Sequence, residues 1–143
     1  MPHRYDVAVR WSDEDRLGHV NNSRYLTFTE DARLSWLADS PAGNGSVILA
    51  RTEIDFIQPV HFVAGGLLVV LTWVLSVGNS SVRLRQDVVG APDNTPVTGT
   101  GVPAVARTEH VLVRYDYEQQ RSRHWADGER TWLRRWIAEG ASI

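Results

Sequence analysis

The sequence predicts an α+β protein in which a curved antiparallel sheet of five to six strands wraps around one central helix. An early segment carries large apolar residues at helical spacing, and five other segments are rich in β-branched residues and separated by turns. Strands that are joined by short turns are antiparallel neighbours. A single helix with a wide apolar stripe must bury that stripe against the sheet. With no linker and no internal repeat, residues 1–143 are expected to form a single domain.

The first strand and the central helix come at the start of the chain. The strand is predicted over residues 4–11, where apolar and polar residues alternate. The helix is predicted from about Asn22 to Ala38, with Asn21 or Asn22 as its N-cap. Its expected buried stripe consists of Tyr25, Leu26, Phe28, Ala32, Trp36 and Leu37.

Four β-rich segments follow the helix, over residues 47–57, 67–78, 80–89 and 105–117. Pro59 directly after the first of them favours an edge strand or a bulge. The nearly all-apolar segment 67–78 is expected to be a central strand buried on both faces. Residues 90–103 are predicted to form a loop, and residues 128–140 a short C-terminal helix. Such a sheet leaves its edges and part of the helix uncovered, so we expect a homodimer or homotetramer.

The bulk composition excludes several classes of function. A net charge of −2 gives no electrostatic reason to expect nucleic acid or an anionic membrane as a partner. The chain has no cysteine, which excludes disulfides, thiolate nucleophiles and thiolate metal sites. The N-terminal segment lacks the apolar core of a signal peptide, and no apolar stretch is long enough to span a bilayer. The sequence therefore favours a cytoplasmic protein.

The segment WSDEDRLGHVNN (residues 11–22) lies between the first strand and the central helix. Its spacing alone favours a turn whose acids cap the helix and are solvated. A catalytic interpretation also has a physical basis, because Gly18 allows a close backbone approach and the free N–H groups at a helix start stabilise developing negative charge. Asp15 would then supply a carboxylate that attacks a carbonyl carbon or activates a water.

Metal sites and a serine nucleophile fit the sequence less well. The motif fails as an EF-hand loop, because Leu17 and Arg24 stand where that loop requires oxygen ligands. The 5 histidines are scattered without the spacing of a zinc site, so no metal and no cofactor are expected. No serine lies in a G-x-S-x-G nucleophile elbow.

The same segment, extended to VRWSDEDRLGHVNNSRYLTFTEDAR, resembles the N-terminal signature of hot-dog-fold acyl-CoA thioesterases of the 4-hydroxybenzoyl-CoA thioesterase type. The matching features are an apolar strand, the pattern D-x-D-x-x-G-H-V-N-N-x-x-Y-L, and a helix with an acid followed by Ala-Arg. Weaker similarity covers EIDFIQPVHF and VLSVGNSSVRLRQDV. The motif also resembles that of acyl-ACP thioesterases, which leaves the thiol carrier open.

The resemblance implies a hot-dog fold and a role for each residue of the motif. Asp15 matches the catalytic carboxylate of the family, and Asn22 matches the residue whose backbone N–H binds the thioester carbonyl. Gly18, His19 and Asn21 would line the thioester site. Together these assignments predict one site at the start of the central helix.

Asp13 also matches the motif, but it lies further from the helix start, so we expect it to have a structural role. The resemblance extends to contacts outside this site. It makes Ser80, Ser81 and Arg83 candidate contacts for the pantetheine and nucleotide of the substrate. An exposed strand arginine such as Arg83 is also commonly a solvated residue without a ligand.

We therefore expect the hydrolysis of an acyl-CoA or acyl-ACP thioester to a free acid and a thiol, with Asp15 as nucleophile or general base. The backbone amides at the helix start would stabilise the oxyanion. Two alternatives stay open. A hot-dog enoyl-thioester hydratase would carry Asn-Pro between its acid and histidine, whereas RLG separates Asp15 from His19. A non-catalytic acyl-thioester-binding protein would use the same fold without cleaving the ligand.

Overall fold

The structure, a computed structural model, describes residues 1–90 and 103–138. Its elements are β1 (His3–Ala8), a 3₁₀ helix (Trp11–Asp13), α1 (Asn22–Ala38), β2 (Val47–Phe56), β3 (Leu67–Val77), β4 (Ser81–Val89), β5 (Ala104–Asp116), β6 (Arg121–Ser122) and α2 (Asp127–Arg134). Most of the predicted 90–103 loop, residues 91–102, lies outside the described residues. Within the described ranges, no helix has the length and apolar character needed to cross a bilayer.

One antiparallel sheet contains the strands in the order β1-β3-β4-β5-β2, and the short β6 pairs with β5. This confirms the predicted α+β class and the antiparallel sheet around a helix. β2 and β3 follow each other in the chain but are not neighbours in the sheet, because residues 57–66 lead from β2 at one edge across to β3. This β2–β3 connection passes the start of α1 and forms part of the site described below.

The central helix has the predicted bounds, and it packs against β1, β3 and β4. Its buried residues are Tyr25, Phe28, Thr29, Ala32, Arg33, Trp36 and Leu37. Leu26 was expected in this stripe, but it is 44% exposed. It belongs to a part of the helix surface that the strands packed against α1 do not cover.

The core under α1 consists of two apolar clusters. The first surrounds Tyr25 and Phe28 at the start of the helix, and the second surrounds Trp36 at its end. Buried polar residues lie between the clusters on the inner face of β3, β4 and β5. We call this group the polar band; it consists of Thr72, Gln86, Thr108 and His110.

Both ends of the chain depart from the predicted elements. β1 ends at Ala8 rather than at residue 11, because the Asp13 N–H donates to the Arg10 carbonyl over 2.9 Å and closes the 3₁₀ helix. α2 ends at Arg134 rather than at residue 140. The helix ends early because the residues after it pair with β3 at Val74, which lies beyond the end of β1. The Val74 N–H donates to the Trp136 carbonyl over 2.9 Å, and the Val74 carbonyl accepts from the Ala138 N–H over 3.1 Å.

The sequence predicted that β3 is a central strand and that β2 is an edge strand or contains a bulge. β3 lies inside the sheet, but only its inner face is fully buried; alternate residues on the outer face are partly exposed, so burial on both faces was wrong. β2 is an edge strand with a bulge between Leu49 and Arg51, which agrees with the expectation from Pro59. Exposed apolar side chains along this edge and just after it are Ile48, Leu49, Phe56 and Ile57.

Candidate active site

The turn after the 3₁₀ helix is fixed by hydrogen bonds within itself. The Asp15 N–H donates to the His19 carbonyl over 2.9 Å, and the Gly18 N–H donates to the Asp15 carbonyl over 3.1 Å. Gly18 has a φ of 80°, a left-handed conformation that favours glycine. The Leu17 N–H donates to Asp15 Oδ1 over 2.8 Å. The turn therefore orients the half-buried Asp15 carboxylate through one of its two oxygens.

The β2–β3 connection holds this turn in place from outside. The Val20 N–H donates to the Val60 carbonyl over 2.7 Å. Two residues further along the connection, the Phe62 N–H donates to the carboxylate of Glu14. These bonds tie both arms of the turn to one segment of chain, so its position relative to α1 is set.

A pair of histidines adds a third link between the turn and the connection. His61 Nδ1 lies 2.6 Å from the Gly18 carbonyl oxygen. Because a carbonyl only accepts hydrogen bonds, His61 Nδ1 must carry a proton in this contact. The His61 ring also packs on the ring of His19, with 4.7 Å between the centroids. His61 thus supports the backbone of the turn and the imidazole of His19 together.

The start of α1 leaves one backbone amide available. Asn21 is the N-cap, and its side chain accepts from the Ser23 N–H over 3.0 Å. The Arg24 N–H donates to the Asn21 carbonyl over 2.9 Å. The first amides of a helix have no acceptor within the helix. Among the described residues, the Asn22 N–H has no acceptor, so it is the group at this helix start that a bound oxygen can use.

Asp13 differs from Asp15 although only one residue separates them. Its side chain is fully buried and accepts from the Arg10 N–H over 2.7 Å. The guanidinium groups of Arg10 and Arg24 lie 3.0 and 3.7 Å from its Oδ1. A buried carboxylate held by a backbone N–H and two guanidinium groups supports the structural role expected for Asp13.

These groups meet at a cleft of 390 Å³ between the start of α1 and the end of β2. Its lining consists of Asp15, Leu17, His19, Val20, Asn21, Asn22, Tyr25, Phe56, Ile57, Gln58 and Pro59. The structure thus brings Asp15, His19, Asn21 and Asn22 together, with Gly18 in the turn beside them. The polar groups lie at the helix start and several apolar side chains lie opposite, a combination typical of sites for small ligands.

Tyr25 forms the buried wall of this cleft. Its ring contacts the rings of Phe28 and Phe56 edge-on, at 5.8 and 5.7 Å between centroids. Burial raises the pKa of Tyr25 to about 12. The phenol therefore stays protonated at neutral pH and presents a neutral hydroxyl to the cleft.

The other predicted contacts, Ser80, Ser81 and Arg83, lie elsewhere in this chain. Ser80 is in the turn before β4, and Ser81 begins that strand. Arg83 is exposed and forms an ion pair with Glu109 over 3.1 Å. Ser81 lies at one end of β4, and the part of β4 beside the cleft is seven residues further along the strand, a distance of about 24 Å. One chain does not bring these residues to the cleft, and their role stays a prediction.

Sequence reasoning missed the contribution of the β2–β3 connection. This connection and the end of β2 supply Phe56, Ile57, Gln58 and Pro59 to the cleft, and His61 to the turn. The only sequence signal was that EIDFIQPVHF resembles a family strand with its proline. Nothing in the spacing indicated that His61 would meet His19, because 42 residues separate them in the sequence.

The donor groups of this site do not form a metal centre. His19 and His61 are close, but among residues 1–90 and 103–138 no group of three His, Asp or Glu side chains is arranged to hold a metal ion. Acid and imidazole chemistry is what these residues offer without further groups.

Comparisons with known proteins find structures of similar fold. Solved structures similar to the chain include a predicted thioesterase from Bacillus stearothermophilus, with a TM-score of 0.78, 20% identity, and coverage of 96% of this chain and 98% of that chain. A thioesterase from Thermus thermophilus, complexed with coenzyme A and Zn, has a TM-score of 0.75, 28% identity, and coverage of 93% and 92%. A probable thioesterase from Escherichia coli has a TM-score of 0.76, 21% identity, and coverage of 95% and 99%. No curated protein sequence matches the chain.

These structures confirm the expected hot-dog fold. The sequence itself also matches a family model over residues 9–137, which include the whole motif and every described strand after β1. Thioester hydrolysis is the general reaction that this match and the neighbouring structures support. By this match the chain belongs to the thioesterase-like superfamily.

Proposed function

We propose that the chain hydrolyses acyl thioesters of coenzyme A, with the Asp15 carboxylate and the Asn22 backbone N–H acting on one thioester carbonyl. One observation carries the proposal: both groups line a single cleft in a chain of the thioesterase-like superfamily. The carboxylate supplies negative charge and basicity, and the amide supplies a fixed hydrogen-bond donor. Thioester hydrolysis requires these two functions in the same place.

The thioester carbonyl oxygen would accept a hydrogen bond from the Asn22 N–H. When a nucleophile adds to the carbonyl carbon, this oxygen becomes negatively charged, and the start of α1 stabilises the charge. The carbon–sulfur bond then breaks, the thiolate leaves and takes up a proton, and the carbonyl re-forms. Water supplies the oxygen of the free acid.

Asp15 can start this sequence in two ways. As a general base it removes a proton from water, and the resulting hydroxide adds to the carbonyl carbon. As a nucleophile it adds directly, releases the thiol and leaves a mixed anhydride that water then cleaves. A labelled oxygen in Asp15 after single-turnover hydrolysis in ¹⁸O-water identifies the nucleophilic route, because water then cleaves the anhydride at the carboxyl carbon of Asp15.

Coenzyme A is the carrier favoured by the comparison, because the Thermus thermophilus thioesterase was solved with coenzyme A. Ser80, Ser81 and Arg83 remain candidates for the pantetheine and nucleotide. Their distance from the cleft along β4 means that they would act on a nucleotide extended over the surface, or on one bound by a second copy of the chain. In either case Arg83→Ala should raise the KM for an acyl-CoA and leave kcat unchanged.

We propose that the active form is a homodimer or a homotetramer. Among the described residues, no strand pairs with the outer edge of β2, and apolar side chains at Ile48, Leu49, Phe56 and Ile57 are exposed beside it. An unpaired strand edge with apolar neighbours is a surface that a second copy can cover. Light scattering at micromolar concentration should give an oligomer, and a folded monomer would contradict this part of the proposal.

The experiment that tests the proposal is thiol release measured over aromatic, short-chain and long-chain acyl-CoAs. Hydrolysis of at least one class, and its loss in Asp15→Asn, is the expected result. The same panel should include an enoyl-CoA, because hydration of its double bond without thiol release would favour a hydratase. Tight binding of acyl-CoAs without turnover of any of them would favour a non-catalytic binding protein.

A further inference from the structure

Arg33 is a buried cation without a negatively charged partner. It lies on the sheet-facing side of α1, is 6% exposed, and forms no ion pair with any described residue. Glu30, one turn earlier, is exposed and raises the pKa of Arg33 through space, but burial lowers that pKa by more. The charge of this guanidinium is therefore not neutralised within the part of the chain that the structure describes.

The groups that Arg33 does contact are neutral. Its Nη1 donates to Gln86 Oε1 over 3.2 Å and lies 3.4 Å from His110 Nε2. Burial first, and then the charge of Arg33, lower the pKa of His110 to about 3, so the imidazole is neutral at working pH. Both ring nitrogens of His110 have a threonine hydroxyl within hydrogen-bond distance. Thr52 Oγ1 lies 2.9 Å from Nδ1, and Thr108 Oγ1 lies 2.8 Å from Nε2. The polar band thus solvates the cation without cancelling its charge.

An uncompensated buried charge destabilises a protein, and an apolar residue of similar size would pack there without that cost. Buried cations in proteins are accordingly paired with an anion in most cases. At Arg33 the anion is missing from the described residues, while the hydrogen bond to Gln86 that orients the guanidinium is in place. The arrangement suits an anion that arrives with a ligand.

Part of the guanidinium is also open to a ligand. Arg33 makes both of its side-chain contacts through Nη1, so its Nε and Nη2 have no partner among the described residues. Among the described residues, the fully enclosed side-chain nitrogens without a partner are those of His3, Trp36 and Trp136, and Arg33 is not among them. Nε and Nη2 are therefore not completely enclosed, although Arg33 as a whole is 6% exposed. These two groups form the edge of a guanidinium that binds a carboxylate through two parallel hydrogen bonds.

To reach this edge from the cleft, an acyl group would run between α1 and β2. One wall is α1, along which Tyr25 and Arg33 are eight residues, or about 12 Å, apart. The other wall is the inner side of β2, along which Phe56 and Thr52 are four residues, or about 14 Å, apart. α1 packs mainly on β1, β3 and β4, and its contact with β2 is that of Tyr25 with Phe56 beside the cleft. Ile54 and Thr52 on that wall are only partly buried.

We infer that the guanidinium of Arg33 binds the far end of the acyl group, and that the preferred substrates are acyl thioesters that end in a carboxylate. This inference rests on the proposed hydrolysis at Asp15 and specifies its substrate class. Arg33 points back along the helix to the level of Thr29, whose carbonyl accepts from Gln86 Nε2. That level is seven residues, or about 11 Å, beyond Asn22. An extended chain covers this distance in about nine bonds.

The test compares substrates that differ only at the far end of the chain. Suberoyl-CoA is paired with octanoyl-CoA, and sebacoyl-CoA with decanoyl-CoA, and kcat/KM is measured for each. For the wild type we expect the carboxylate-ended member of a pair to be better by roughly ten- to a hundredfold, as for one charge-assisted pair of hydrogen bonds. Equal values, or a preference for the methyl-ended member in both pairs, would overturn the inference.

Variants separate recognition from packing. Arg33→Met keeps the length of the side chain and removes its charge, so it should abolish the carboxylate preference while leaving the methyl-ended substrates within a few-fold of wild type. Arg33→Lys should keep part of the preference. Arg4→Met, which removes an exposed arginine of β1 paired with Asp6, is the matched control and should change neither member of a pair.

Two further measurements keep the outcomes distinct. Light scattering of Arg33→Met shows whether Arg33 instead pairs with an acid of a second copy; a lost oligomer with unchanged substrate preference would overturn the inference. If no acyl-CoA is cleaved, the proposed function fails, and the subsite is tested by calorimetry with uncleavable CoA thioethers. The wild type should then bind the carboxyalkyl thioether more tightly than the alkyl thioether of equal length, and equal affinities would contradict the subsite.

Discussion

The cleft at the start of α1 and the polar band under its middle hold their charged groups in opposite ways. In the cleft, Asp15 is half-buried and is bound through one oxygen by its own turn. Over the polar band, Arg33 is buried and its contacts are the neutral Gln86 and His110. An accessible carboxylate can exchange a proton or attack a carbon, whereas a buried cation is a fixed charge. The start of α1 therefore lies beside a carboxylate suited to chemistry, and the middle of the same helix carries a fixed charge suited to recognition.

The largest expected effect concerns the acid of the cleft. Asp15→Asn keeps the shape and hydrogen-bonding capacity of the side chain but removes its negative charge. A general base contributes roughly 10²–10⁴-fold, so kcat for the best acyl-CoA should fall by about that factor, with little change in Tm. Steady-state thiol release together with thermal unfolding measures both quantities.

Asp13→Asn is the matched control for that variant, since it makes the same change two residues earlier in the motif. It removes the charge that Arg10 and Arg24 bind, so its main effect should be a lower Tm. Its loss of turnover should be at least about a hundredfold smaller than that of Asp15→Asn. Near wild-type turnover in Asp15→Asn, with turnover lost in Asp13→Asn, would show that the catalytic acid is misassigned.

A smaller effect is expected for the imidazole of the cleft. His19→Ala removes one side chain from the lining and its contact with His61. If His19 forms one hydrogen bond to the carbonyl or to a water, its loss should lower turnover roughly tenfold. The fold should stay intact. His124→Ala, in an exposed position outside the cleft, is the control. Equal turnover of the two variants would mean that His19 is only a loop residue.

For the polar band the expected effect is on stability rather than turnover. The pKa of His110 is lowered from 6.5 to about 3, so between these values the unfolded chain binds a proton that the folded chain does not. The free energy of unfolding should therefore fall as the pH falls from about 6.5, by at most about 1.4 kcal/mol per pH unit from this group.

The variant His110→Gln isolates this contribution, because an amide keeps hydrogen bonds to the band but does not titrate. Urea unfolding of both proteins at about pH 7 and about pH 5 gives the difference in slope. The wild type should lose more stability than the variant over this interval. Parallel pH dependence would show that His110 is protonated in the folded protein or exposed within the polar band.

The two sites also differ in how far the sequence reveals them. Asp15, Gly18, His19 and Asn22 are close in sequence, so the turn before a helix, together with the resemblance of its motif to a known family, predicted that they form one site. The bounds of α1 and the edge position of β2 followed from periodicity and Pro59. The polar band was hidden, because strand register alone sets Gln86 opposite Thr108 and brings His110 under Arg33. The end of α2 was missed for a similar reason, since it depends on the hydrogen bonds of Val74 with Trp136 and Ala138 beyond the end of β1.

The central claim is that the Asn22 N–H and the Asp15 carboxylate act on one thioester carbonyl. A crystal structure of Asp15→Asn with an intact acyl-CoA bound tests it most directly, because the slow variant should hold its substrate. We expect the thioester carbonyl oxygen about 2.7–3.1 Å from the Asn22 nitrogen, with the side chain at position 15 beside the thioester carbon. A thioester bound away from the start of α1, with its carbonyl oxygen bonded to other groups, would contradict the account.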